Sequence, residues 1–325
     1  AQTGEEAVTT LVNAVVARNS SGVADLVTGA RVFLNNLAST TTLDVRTIVP
    51  TTTQSSLSEP IVITGTTPSD GNSQSEAFVI DLRQLPSGST LQLDNIEFAS
   101  VMGSATVTGG AGDNYVTGDD MSQFISLGVG DDTLFGGDGA DTIGSGAGAD
   151  DLHGDAGDDK VFGGLDTDTV WGGSDQDVVY GNQQDDVLYG NQGLDILYGG
   201  QDADVAYGGQ HEDIVYGNLG DDVLYGNLGA DTLFGGQGGD ILFGGQDNDL
   251  LISGVGDDTL NGNRGADTIS TGEGADLIVV QADSGIDIVA DFDGAAGDRV
   301  QIAANVNGTS IDSFTELVGV ATSYA

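Results

Sequence analysis

The sequence has no cysteine, so neither a disulfide framework nor a thiolate metal site is available to it. Its imidazoles are confined to His153 and His211, too few for the clustered nitrogen ligands of zinc and copper centres. Lysine and arginine together number 7 in 325 residues. Gripping phosphates needs a basic patch, so nucleic acid is excluded as a partner. No apolar run approaches the roughly 18 residues that cross a bilayer, and no membrane span is expected. No secretory leader is visible at the opening Ala1-Gln2-Thr3, which leaves open an export route that reads another signal. Catalytic groupings are missing as well. There is no histidine-based zinc motif, no nucleophile elbow and no thiol, and both histidines fall inside the repeat described below. The chain does not read as an enzyme.

What the chain has in excess is acid. Asp and Glu number 51, for a formal charge of −44. A compact chain so charged repels itself, so cations must compensate. Such acidity also fits disorder, but 38% hydrophobic residues can fill a core once the charge is neutralised. Glycine, at 53 residues against 4 prolines, signals tight turns rather than linkers.

The acid is periodic. Aspartate recurs every ninth residue as Asp132, Asp141, Asp150, Asp159, Asp168, Asp177, Asp186, Asp195, Asp204, Asp213, Asp222, Asp231, Asp240, Asp249, Asp258, Asp267 and Asp276. Two residues after each comes an aliphatic side chain, from Leu134 to Ile278, with Ala206 the smallest. Glycines precede the acid, as in Gly235-Gly236-Gln237-Gly238-Gly239-Asp240-Ile241-Leu242-Phe243. Counting this stretch as positions one to nine, the first six residues read as a turn, because Gly, Asn and Asp tolerate positive φ. The last three read as a short strand with its middle side chain inward. Two units make an 18-residue coil with one strand in each of two parallel sheets. Stacking sets aspartates such as Asp222 and Asp240 roughly 5 Å apart along the axis. Carboxylates so close need a cation between them, and an all-oxygen set of carboxylates and turn carbonyls suits calcium.

These residues resemble the RTX (repeats-in-toxin, haemolysin-type) calcium-binding family, whose nonapeptide is GGxGxDx followed by a large apolar residue and any residue. The likeness covers about residues 109–280. It implies that the sixth-position aspartates listed above ligate several calcium ions. An earlier unit, Gly109 to Asn114, keeps the phase with Asn in the key place. The stretch from Asp283 to Ile302, with Asp291-Phe292 and Asp298, looks like the segment that follows such repeats. The resemblance also implies secretion, commonly by a type I system reading a C-terminal signal. Departures fall at two positions. Position four holds Asp166, Asp175, Gln184, Asp202, His211 and Asp247 instead of glycine, and position two holds Asn182, Asn191, Asn218, Asn227 and Asn263. Asp and Asn tolerate a left-handed backbone, whereas Gln and His are strained there.

The ninth position, which points outward, reads Phe162, Trp171, Tyr180, Tyr189, Tyr198, Tyr207, Tyr216, Tyr225, Phe234 and Phe243 without a break. With 18-residue coils these divide into two ladders, one per sheet. The seventh position, also outward, is mostly Val or Ile over the same span. Cross-strand stacking accounts for part of this. Two apolar columns on each face are more than a monomer ordinarily exposes. The N-terminal region, another copy of the chain, or a cell-surface glycan is expected to cover them.

The flanks are less regular. Residues 4–37 read as two helices, on Val8, Leu11, Val12, Val15 and Val16 and then Val23, Leu26, Val27, Val32, Phe33 and Leu34. From Thr40 to Val107, β-branched runs such as Ile61-Val62-Ile63 and Phe78-Val79-Ile80 read as strands leading into the first coil. The fold expected is mostly β: a right-handed parallel β-roll with a small N-terminal α+β region and a C-terminal cap. Its parts are a helical segment (1–38), a β-rich region and roll cap (39–108), the roll (109–281), and a cap and possible secretion signal (282–325). The function expected is that of a secreted calcium-binding structural protein that folds on calcium and self-assembles as an extracellular layer, sheath or filament. The alternative is a calcium-dependent adhesin or glycan-binding module, part of a larger exported protein.

Overall fold

A computed structural model of the chain describes residues 5–17, 27, 30–31, 33–34, 42–65, 74–281 and 284–302. Its strands run from β1 (Thr42–Ile48) to β27 (Arg299–Ile302) and alternate between two sheets. The odd-numbered strands form a 14-stranded sheet and the even-numbered ones a 13-stranded sheet, each in chain order. Neighbours pair in parallel, as in Val223↔Ile241 and Tyr225↔Phe243. The chain thus winds as a solenoid with one strand of each sheet per coil, the expected parallel β-roll.

The strands are longer than the repeat pattern predicts. Most run six residues, such as Val223–Leu228, and so take in the first three positions of the next unit. The first position faces inward, where glycine leaves the space that the aspartate of its own unit fills. Only positions four to six remain for the turn.

The inward column closes the core. From Leu134 to Ile278 every eighth-position side chain, Ala206 included, is at most 1% exposed. Leucine, isoleucine and valine stack there in register, as in Leu224↔Leu242. Burying such a side chain is worth about 1.5–3 kcal/mol, and every coil contributes one from each sheet.

The two sheets do not begin with the repeats. Thr42–Ile48, Ile61–Thr64, Gln74–Asp81, Thr90–Asp94, Phe98–Met102 and Thr106–Gly109 already hold places in them, ahead of the first in-phase aspartate. Their core is larger and less regular: Phe78, Ile80, Leu91, Leu93 and Ile96 share one cluster with the eighth-position column. Ile288–Val289 and Arg299–Ile302 extend the sheets at the other end.

A second cluster lies on the outer face of the odd sheet. The helix α1 (Glu5–Val16) buries Leu11 and Val15 there, beside Phe33, Leu43, Ala77, Val79, Phe98 and Tyr115. Val27, Ala30, Arg31, Phe33 and Leu34 are helical too. Val23, Leu26, Val32, Asp283 and the segment beyond residue 302 lie outside the described residues. No helix among the described residues is long and apolar enough to cross a membrane.

Because the inward column is closely packed on every side, Leu224→Ala should leave a cavity and cost about 2–5 kcal/mol. Thermal unfolding of the calcium-loaded chain measures this. A loss below about 1 kcal/mol would mean that the column is not the main core.

Candidate metal centre

Each sixth-position aspartate ends a turn and starts a strand, and its main chain is tied to the next coil twice. The Asp222 carbonyl accepts the Ile241 N–H at 2.8 Å. The Asp222 N–H donates to Oδ1 of Asp240 at 2.9 Å. The second bond recurs along both sheets. All seventeen aspartates from Asp132 to Asp276 accept the main-chain N–H from the sixth position one coil earlier, at 2.6–2.9 Å. These side chains are 0–3% exposed.

The other oxygen has no donor. In sixteen of the seventeen, Asp141 through Asp276, Oδ2 is buried without a hydrogen-bond partner. Asp132 differs, because the Ser145 hydroxyl donates to its Oδ2 at 2.9 Å. The neighbours of Oδ2 include oxygen. A Cβ placed on the first-position Gly163 would lie 2.7 Å from Asp168 Oδ2 and 2.8 Å from the Gly181 carbonyl oxygen. Carboxylate and carbonyl thus converge, acceptor toward acceptor, which is unfavourable unless a cation or a proton lies between them.

The titration of the column reflects this burial. Desolvation pushes Asp159, Asp168, Asp177, Asp204, Asp213 and Asp249 up to about 8, against the favourable N–H bond to each. It lifts Asp222, Asp231 and Asp267 to about 6. Among the described residues no three His, Asp or Glu side chains converge on one point. A site here would therefore take one or two carboxylate oxygens and complete its shell from main-chain carbonyls. Such a hard, all-oxygen set fits calcium, and the orphaned Oδ2 atoms supply the charge it needs.

The fourth position completes the turn. Cβ atoms on Gly220, Gly238 and Gly256 would collide with the fourth-position carbonyls one coil earlier. Gly238 escapes at φ 133°, a conformation closed to other residues. Asp166, Asp175, Asp202 and Asp247 rotate instead to φ 70–76° or 77°, the left-handed basin, and Gln184 (69°) and His211 (78°) do the same. The strain expected at Gln184 is accompanied by two bonds along the column. Its Nε2 donates to Asp166 Oδ1 at 2.9 Å and its N–H to Asp202 Oδ2 at 3.3 Å.

Two groups of carboxylates lie outside the sixth-position column read from the sequence. Asp131, Asp158, Asp185, Asp221 and Asp257, at the fifth position, each accept the fifth-position N–H one coil later. Their recurrence at multiples of nine, one place before the sixth-position acid, was the available signal. Asp287 and Asp298 continue the aspartate ladder past the repeats, accepting the N–H groups of Asp267 and Asp276, both at 3.2 Å. Their spacings of 20 and 22 residues hid them. At the other end Asn114 and Gln123 hold the sixth-position place with amides.

The ninth-position side chains stack as expected. On the even sheet Phe162, Tyr180, Tyr198, Tyr216 and Phe234 lie 4.7–5.0 Å apart with ring planes within 2–7°. On the odd sheet Trp171, Tyr189, Tyr207, Tyr225 and Phe243 lie 3.9–5.0 Å apart within 7–11°. That ladder continues through His153, Phe135, Tyr115 and Phe98 to Phe33, inside the cluster under the helix. His153 Nε2 sits 3.0 Å from Asp151 Oδ1, to which Trp171 Nε1 also donates. His211 stands in a turn.

The family model for the RTX calcium-binding nonapeptide repeat, four copies long, matches residues 103–120, 121–152, 144–179, 171–206, 207–242, 216–251, 243–278 and 252–289. Together these stretches cover more than half of the chain. A comparison with curated proteins finds no match.

Two outcomes follow from the orphaned oxygens. Folding raises these aspartates above their unfolded value near 4, so without metal the stability they allow is present at acid pH. It is lost as pH rises through about 6 to 8. In chelator, circular dichroism should therefore show more β structure at pH 5 than at pH 8; equal spectra would refute the linkage. Asp222→Asn keeps the Oδ1 acceptor and turns an amide donor toward the carbonyls. It should lower the calcium stoichiometry while making the metal-free roll more stable, which calorimetric titration and chelator-phase melting measure.

Proposed function

Since the chain belongs to the RTX calcium-binding nonapeptide-repeat family, we propose that it is a secreted structural protein that folds on calcium and then self-assembles outside the cell. The observation that carries the calcium reading is the set of sixteen buried Oδ2 atoms without donors. The sixth-position aspartates from Asp132 to Asp276 are the ligands in this reading, with first- and fourth-position carbonyls beside them. Many similar sites of modest individual affinity suit the millimolar calcium met by extracellular modules. Below that concentration the column's self-repulsion keeps the repeats open.

Self-assembly is supported by where the charge is not. Between Thr169 and Asn263 the outward seventh-, ninth- and second-position residues of both sheets carry no charge, in a chain of −44. All acids of that span sit in the turns. A glycan reading finds less support. Sugars stack on open ring faces, and here the faces of the tyrosines are turned toward one another.

Calcium titration followed by circular dichroism and sedimentation tests the reading. Chelated chain should be expanded and monomeric, then gain β structure and form large species near millimolar calcium. Magnesium should substitute poorly, because it demands a tighter octahedron. A spectrum indifferent to chelator would defeat the calcium half, and a calcium-loaded monomer the assembly half.

A further inference from the structure

Both outer faces of the roll carry the same relief. The aromatic ladder stands as a ridge along the axis, and beside it runs a groove floored by the second-position Gly or Asn. On the odd face one stretch of the groove measures about 390 Å³, lined by Tyr189, Asn191, Gln192, Tyr207, Gly209 and Gln210, and a second of about 590 Å³ continues past Leu228 to Arg264. On the even face it measures about 280 Å³, between Tyr180, Asn182, Tyr198, Gly200, Gln201 and Asn218. Along each groove every other floor residue is glycine, as at Gly200 and Gly209. The far wall is a third-position row of Gln and Leu, in which Leu219 and Leu228 are 45% and 42% exposed.

The faces are also regular. Neighbouring rings along both ladders lie nearly plane to plane, within 2–11°. A surface ruled at 4.7–5.0 Å is matched best by another ruled at the same interval. The absence of charge makes the match possible between copies of an acidic chain, because like faces meet without repulsion while the acids stay at the margins. Edges and phenol oxygens, rather than ring faces, point outward, and these can enter a groove whose walls offer amide donors and acceptors.

We propose, building on the self-assembly reading above, that the occupant of each face is the same face of a second copy. A twofold axis parallel to the roll sets each ridge over its partner's groove. Such a contact is isologous and by itself closes as a dimer. This molecule has two such faces back to back, on opposite sides of one core. Alternating odd-to-odd and even-to-even contacts therefore build an open stack of slabs, one roll thick per step. On the odd face the helix and Phe33 occupy the ladder's beginning and Asp151 and Asp155 lie beside His153, so the partner's contact is limited to the uncharged stretch from Trp171 to Phe243.

The inference separates from its premise by mutating one face at a time in the full chain. Val187→Lys with Val205→Lys charges the odd face, and Ile196→Lys with Ile214→Lys the even face, leaving both ladders and the inward column untouched. Calcium-triggered circular dichroism verifies folding, and sedimentation in calcium gives the size. The parent should form an open series of oligomers, each single-face variant should stop at a dimer, and the combined variant should be a monomer. Tyr189→Lys with Tyr207→Lys, and Tyr180→Lys with Tyr198→Lys, should repeat the pattern if the ridges themselves make the contact. Single-face variants that still polymerise, or that fall directly to monomer, overturn the two-face stack while leaving self-assembly standing. A parent that stays monomeric in calcium overturns both.

Discussion

The fold depends on a carboxylate that is half used. One oxygen of each sixth-position aspartate is committed to an N–H of the preceding coil, which fixes coil to coil at every turn. That bond holds the side chain inside, and it leaves the second oxygen facing carbonyls. Glycine at the first and fourth positions follows, because there a side chain would meet the aspartate carboxylate or a neighbouring main-chain carbonyl. The regular coil follows too, since a change of length would carry the acid out of line with its partner. The same side chain thus acts as splint and as the source of repulsion. A hydrogen-bonded spine whose free oxygens face carbonyls closes at least cost when a cation or a proton lies beside them.

The roll ends where the conditions for that spine end. Before the first in-phase aspartate, the coils at residues 42–109 are closed by apolar side chains such as Phe78, Leu91 and Leu93, with irregular loops between strands. Asn114 and Gln123 then start the two columns with amides, groups that offer both donor and acceptor and carry no charge. At the far end Asp298 accepts from Asp276 and Asp293 N–H groups and from the Thr271 hydroxyl. Its carboxylate therefore stops the ladder with both oxygens satisfied.

Much of this was legible in the residues alone. Period nine, the aliphatic column and the aromatic ninth position gave the two sheets, the inward face and both ladders, because each rests on repetition. Strand length was not legible. Glycine and asparagine at the first and second positions read as turn, yet in the structure the parallel ladder carries them as strand with positive φ at residues such as Asn218 and Asn227. Propensity lost to pairing there. The early coils could not be phased because their lengths differ, Thr42 pairing with Gln74 while Ala77 pairs with Phe98. The placement of the helix was hidden for another reason. Leu11 and Val15 advertise an apolar stripe, but only the tertiary structure shows it lying on Phe98 and Tyr115.

The coils at residues 42–109 have no aspartate spine, and this gives the molecule a direction. In a linear array each unit is stabilised by its neighbour, and ordering spreads from whichever unit forms first. The apolar coils under the helix can stand as that unit before any ion arrives, presenting an edge of unpaired strand to the repeats. Calcium reaching such a seed would add coils onto it one after another and close the repeats from their N-terminal side. A polypeptide that is threaded through an envelope in the open state and meets calcium only on the far side would be drawn shut by the same zipper. The seed would set where closure starts, and the ion gradient on which side of the boundary it happens.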